Sequence, residues 1–159
     1  MHFKLSKSAQ TFFGNIINLE GSHGTEDKNK FLQFDVYYCC ALIGMAAVQL
    51  DSDTDDLKDL VDRYPKPYAT YRSHIAGLLV ATEAKRLSVD LQSPKLEDII
   101  LKYLSDESTM LSEEGINTLN AYALKGYHLI CEYPLVDKPT SREEFLEAFN
   151  LAMQKYSVQ

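Results

Sequence analysis

The chain has 159 residues, 45% hydrophobic and 25% charged, with 23 acidic against 16 basic residues and a formal net charge of −7. That length is enough for one domain, residues 1–159, with a real core, and the composition excludes wholesale disorder. The acidic balance argues against a protein that grips nucleic acid by charge alone, because such binding rests on neutralising phosphates, although a local basic patch remains open.

Phe3-Lys4-Leu5-Ser6 alternates apolar and polar residues, as a short N-terminal edge strand or arm does. From about Ser8, the residues Phe12, Phe13, Ile16, Ile17 and Leu19 predict a first helix, weakened by Gly14. Residues 20–30 hold Gly21 and Gly24 among polar neighbours and predict a mobile loop. Residues 31–50 predict a second helix that is apolar on nearly every face and so lies in the core. Either it is the one helix that a monomer of this size can surround, or one of its faces meets another copy. In the second case Val36, Tyr37, Cys40, Ile43, Ala47 and Leu50 form the interface of a homo-oligomer, a symmetric dimer being the commonest closed solution.

Asp55 or Asp56 is expected to cap a short third helix at 57–63, stopped by Pro65 and Pro67. A fourth helix is expected at 67–88, proline suiting its first turn, with Tyr68, Tyr71, Ile75, Leu78 and Leu79 as its apolar stripe. Ser93 caps a fifth helix running through Ile99, Ile100, Tyr103 and Leu104. Ser112 caps a sixth, which carries Ile116, Leu119, Ala123, Tyr127 and Ile130 and ends before Pro134. Thr140, with Glu143 three residues on, has the sequence form of a capping box and opens the last helix, striped by Phe145, Phe149, Ala152, Met153 and Tyr156. The expected fold is all-α: a compact domain of six or seven helices with a short N-terminal strand or arm.

Cys39 and Cys40 are adjacent and unsuited to pair with one another, and no Cys/His spacing suggests zinc. Reduced, buried thiols and a cytoplasmic location follow as expectations. The opening residues carry no apolar signal core. The apolar run at 36–50 falls short of the about 20 residues that a membrane helix needs, so no membrane association is expected.

Counted from Asp51, carboxylates stand at positions 1, 3, 5, 9 and 12 (Asp51, Asp53, Asp55, Asp59, Asp62), the spacing of a calcium-binding EF-hand loop. The sixth position needs glycine for its sharp turn and holds Asp56, and the twelfth holds Asp62 in place of glutamate. The expectation is a helix-capping loop without a metal. His2, His23, His74 and His128 are scattered, and neither a phosphate loop nor a nucleophile elbow is present. The sequence therefore predicts no catalytic residue, no cofactor and no enzyme activity.

The segment from Arg63 to Arg72 interleaves cations with tyrosines, a pattern that can hold phosphates while bases stack. Its alternative is a proline-rich helix junction whose Tyr68 and Tyr71 pack inward. With Lys4 and Lys7 of the opening segment, Arg63, Lys66 and Arg72 are the candidate nucleic-acid contacts.

Phe3-Lys4-Leu5-Ser6-Lys7-Ser8-Ala9, then Tyr71 followed by His74-Ile75-Ala76-Gly77-Leu78-Leu79, then Asn120-Ala121-Tyr122-Ala123-Leu124-Lys125-Gly126-Tyr127-His128-Leu129, together resemble the DndE family, the small helical subunit of bacterial DNA phosphorothioation systems. The family's first helix is rich in Lys and Arg, whereas this one reads Thr11-Phe12-Phe13-Gly14-Asn15-Ile16-Ile17-Asn18. The resemblance implies a non-enzymatic, oligomeric accessory or assembly subunit of a DNA-modification or phage-defence complex that binds DNA weakly, if at all, by itself. Two alternatives stand beside it: a direct DNA-binding module using the N-terminal arm, and an acidic protein-interaction domain unrelated to DNA.

Overall fold

The computed structural model describes residues 1–18 and 28–158. Leu19 and residues 20–27, most of the expected mobile loop, lie outside the described residues. The chain is mainly helical, with six α-helices and one two-stranded sheet among the described residues.

Alternation in the opening residues produces β1 (Phe3–Ser6), whose Phe3, Leu5 and Ser6 are buried. It leads into α1 (Lys7–Phe12), capped by the Ser6 hydroxyl accepting from the Ala9 N–H at 3.0 Å. The first helix is shorter than the apolar spacing predicts. After Phe13 the backbone turns through Gly14, and Ile17 joins Phe31 in an isolated parallel bridge.

The central helix, α2 (Gln33–Ala47), ends at Val48 in a left-handed conformation with φ 54°. It is covered by α5 (Glu113–Glu132) and α6 (Arg142–Tyr156). This corrects the oligomer interface expected on α2. Val36, Tyr37, Cys40 and Ile43 have no exposed area, Ala47 has 1% exposed, and Leu50 is half-buried against the same cluster. The uniform apolarity of α2 is thus satisfied inside one chain.

Contact between α2 and α5 is backbone to backbone. A β-carbon on Gly44 would stand 2.1 Å from the Tyr122 carbonyl oxygen, and one on Gly126 would stand 1.7 Å from that of Cys40. Only glycine permits that approach.

The expected third helix is a strand, β2 (Leu57–Val61), antiparallel to β1. Phe3 pairs with Val61, Lys4 with Asp59, Leu5 with Lys58 and Ser6 with Leu57, with a register irregularity between Phe3 and Lys4. Asp56, expected to cap a helix following it, serves α1 instead. Its carbonyl accepts from the Lys7 N–H at 2.8 Å, and its carboxylate accepts from the N–H and hydroxyl of Ser8 at 3.1 and 2.8 Å. A carboxylate beside the first turn suits the helix dipole, but the sequence does not say which helix that is.

A 3₁₀ turn (Lys66–Tyr71) carries the chain from Pro65 into α3 (Arg72–Arg86), so the fourth helix starts later than expected. It is followed by α4 (Lys95–Tyr103). Ser112 caps α5 as expected, accepting from Gly115 at 3.0 Å. The cap of α6 is Ser141, one residue beyond the expected Thr140, which instead donates its N–H and hydroxyl to Glu144.

Candidate functional site

The most elaborate polar arrangement surrounds Glu83, which has no exposed area. On α3 it continues the buried face of Ile75, Ala76, Leu79 and Val80, because the helical period returns there every three or four residues. Arg86, one turn later, donates Nε–H at 2.9 Å to one carboxylate oxygen and Nη2–H at 2.7 Å to the other. Tyr103 of α4 and Tyr122 of α5 donate their hydroxyls at 2.8 and 2.5 Å.

Burial acts to raise the Glu83 pKa, but the hydrogen bonds from Arg86, Tyr122 and Tyr103, with the Arg86 charge, hold it below the ordinary value. Burial and the bond to Glu83 push both tyrosines upward. An ionised carboxylate with four donors already in place has little capacity left for a substrate. The arrangement is a clamp joining α3, α4 and α5, with the Arg86 side chain 35% exposed.

A second polar node is Asn120 of α5, 2% exposed. Its side-chain oxygen accepts from the Lys4 N–H at 2.9 Å and from the Tyr37 hydroxyl at 2.8 Å, and its amide donates to the His2 carbonyl at 3.1 Å. No sequence motif marks Glu83 or Asn120. Glu83 had a signal, its place in register with the Ile75 to Val80 face; Asn120 stands in the stretch that carries the late-helix resemblance, but nothing there marks it as a polar node.

The five candidate nucleic-acid contacts do not form one surface. Arg63 and Arg72 line a cleft of about 410 Å³ with Asp62, Tyr64, Ala69 and Ser108. Asp62 lies 3.4 Å from the Arg63 Nε, and Arg72 reaches the Ser108 carbonyl at 3.5 Å. Lys4 lies 3.7 Å from Asp59, across the sheet. Lys7 lines a separate open depression with Ser8, Thr11, Phe12, Asp56, Tyr127 and Lys138. Lys66 is exposed on the 3₁₀ turn. Of the interleaved rings, Tyr68 packs on Phe34 at 4.7 Å and donates to Asp35, whereas Tyr71 is 59% exposed, contrary to the inward packing expected of it.

The acidic loop before β2 is tied down from both sides. Asp51 lies 3.0 Å from the His128 Nδ1, and its carboxylate also accepts from the Asp53 N–H. Among the described residues no group of three or more His, Cys, Asp or Glu is arranged to hold a metal ion. The thiols of Cys39, Cys40 and Cys131 are free, and burial pushes all three upward, Cys39 to about 12 and Cys131 to about 11. At neutral pH they stay protonated and poorly nucleophilic.

Large apolar side chains are exposed at several places, among them Val136 and, on α6, Leu146 and Leu151; one group of them lies on and before α4. Leu101 is 71% exposed and Ile100 38%, with Leu91 at 58% and Leu87 at 45% in the approach from α3. Among the described residues no helix is long and apolar enough to cross a membrane. No family model, no curated protein and no solved structure matches the chain.

Proposed function

We propose that the chain is a non-enzymatic accessory subunit that works by protein–protein contact, and that its setting is a bacterial DNA-modification or phage-defence complex. The observation that carries the first part is α4. Ile99 and Tyr103 anchor one side of this helix in the core, with Tyr103 held by the Glu83 clamp, while Leu101 and Ile100 face outward. A rigid helix presenting large apolar side chains to water has the form of a docking face rather than a reaction site. The setting comes from the resemblance to the DndE family in the opening strand, the Tyr71 to Leu79 segment and the late α5 helix. Association with another copy belongs to the same reading and would have to use surface other than α2.

The test is purification of the tagged chain at native expression level, as wild type and as Leu101→Asp. The reading expects defined DNA-modification or defence proteins to accompany the wild type and to be lost from the variant, with unchanged melting of the isolated chain. Retention of the same proteins by Leu101→Asp would remove α4 as the docking face. Their absence from the wild type would remove the setting.

A further inference from the structure

We infer that the outer edge of β2 receives an extended, basic segment of a partner protein, which adds a third strand to the β1–β2 sheet. The inference rests on the reading that the chain works through protein contacts, and it gives those contacts a second site.

The two edges of this sheet are treated differently. The edge of β1 is closed by one side chain: the Asn120 amide accepts from the Lys4 N–H and donates to the His2 carbonyl, the pair of bonds a neighbouring strand would make. Because the Lys4 N–H points to Asn120, Lys4 and its partner Asp59 form a pair whose backbone groups face away from each other. Antiparallel alternation then turns the N–H and carbonyl of Asp59 outward on the far side of β2, together with those of Leu57. Thr54 takes the Leu57 N–H at 3.2 Å, and among the described residues nothing bonds the outward groups of Asp59. Lys58 and Asp59, on opposite faces of the strand, are both exposed, so the edge is open from either side.

Charge selects the occupant. Residues 51–63 carry six aspartates against Lys58 and Arg63, and Asp53, Asp55, Asp59 and Asp62 are exposed around the strand. Asp59 also lies 3.7 Å from Lys4 and from His2, and Asp62 3.4 Å from Arg63, exposed pairs weak enough to leave both carboxylates open to a further cation. A second copy pairing β2 with β2 would bring these carboxylates together, and like charges across strands are destabilising. Charges and irregular register are the usual protection of an edge against its own kind. The same carboxylates favour a strand with alternating cations, and they disfavour a nucleic-acid backbone.

The probes are two synthetic peptides of about ten residues, long enough to span β2. Both alternate with valine and threonine; one carries lysine at every second position and the other glutamate. With the full-length ¹⁵N-labelled chain, the lysine peptide is expected to bind saturably below about 1 mM, to shift the signals of residues 57–61 and to slow exchange of the Asp59 amide at least about tenfold, a loss of opening that a third strand would impose. The glutamate peptide is expected to do none of this.

Asp59→Pro deletes the outward donor without removing a ladder bond, a substitution an edge strand accepts, and is expected to abolish binding. Asp59→Lys combined with Asp62→Lys keeps the donor and is expected to exchange the preference toward the glutamate peptide. An unprotected Asp59 amide at millimolar lysine peptide, equal binding of both peptides, or a folded Asp59→Pro chain that still binds would each overturn the inference. Partner proteins lost on Leu101→Asp while the peptide leaves Asp59 unprotected would show that the edge fails and the α4 reading stands.

Discussion

Gly126 on α5 lies so close to Cys40 on α2 that a β-carbon would stand 1.7 Å from the Cys40 carbonyl oxygen and 3.0 Å from the Gly44 nitrogen. Neither atom is the end of a flexible side chain, so the two helices must move apart to admit even a methyl group. Gly126→Ala is expected to destabilise the chain by at least about 3 kcal/mol, the upper end of overpacking effects. Gly77, on the exposed side of α3 with nothing within 4 Å of its β-position, is the control. Gly77→Ala should stabilise by about 0.8 kcal/mol through helix propensity alone. Urea unfolding of both variants measures the contrast.

Asn120 makes a separate prediction. Asn120→Leu matches its size but leaves the Lys4 N–H, the His2 carbonyl and the Tyr37 hydroxyl without their partner. The buried Tyr37 hydroxyl so orphaned costs about 1–3 kcal/mol, and the part-buried Lys4 N–H and His2 carbonyl cost less because β1 can loosen toward water. The expected result is a loss of about 3 kcal/mol with faster amide exchange concentrated in β1. Unchanged exchange at Lys4 would contradict the role assigned to Asn120.

The Glu83 clamp predicts a pH dependence. With Arg86 in place the Glu83 pKa is depressed in the folded state. Its contribution is therefore full above the unfolded value of about 4.3 and is lost as pH falls through the folded value. Arg86→Met removes two hydrogen bonds and the charge, so that burial, the largest raising influence, dominates. With only the Tyr122 and Tyr103 hydrogen bonds left to oppose burial, the folded-state pKa is expected to rise above the unfolded one, so that the variant gains relative stability as pH falls. Because the Arg86 side chain is itself 35% exposed, Arg86→Met should cost less than breaking a fully buried pair, about 1–2 kcal/mol at neutral pH, with a gap that narrows by pH 5. A constant gap in urea unfolding between pH 7 and pH 5 would mean that Arg86 does not hold Glu83 ionised.

Helices were legible in the sequence wherever periodicity and a cap coincided. Ser112 with the Ile116 to Ile130 stripe marks α5 almost to the residue, and the all-round apolarity of α2 correctly marks the core. What failed was partnership. Asp56 has the local character of a cap for a helix at 57–63, but its bonds go to Ser8, 48 residues away, and the segment after it pairs with β1. Local propensity cannot choose between a seven-residue helix and a strand when a distant strand supplies the ladder. The same blindness placed an oligomer interface on α2, because a helix surrounded by its own chain and one shared between copies have the same pattern. Of the candidate site, the cations were found but not their neutralisation: Asp59 beside Lys4 and Asp62 beside Arg63 follow from the sheet and its exit.

That neutralisation governs the last prediction, on duplex DNA. Lys4 faces Asp59, Lys7 lies in a depression that contains Asp56, and Lys66 is exposed on its turn, so of the five candidates Arg63 and Arg72 are the two that converge on one cleft. Two phosphate contacts give a logarithmic salt slope of about −1.8, and a fourfold rise from 50 to 200 mM salt then weakens binding about 12-fold, against the 10³-fold or more of a protein that grips six phosphates. Fluorescence anisotropy with a labelled duplex measures both the affinity and the slope. The expected outcome is binding weaker than micromolar at physiological salt, with that shallow slope reduced further in Arg63→Ala combined with Arg72→Ala. Sub-micromolar binding with a slope steeper than about −5, which requires some six phosphates, would show that the chain presents a basic surface that these ion pairs do not suppress, and would turn the reading toward a direct DNA-binding module.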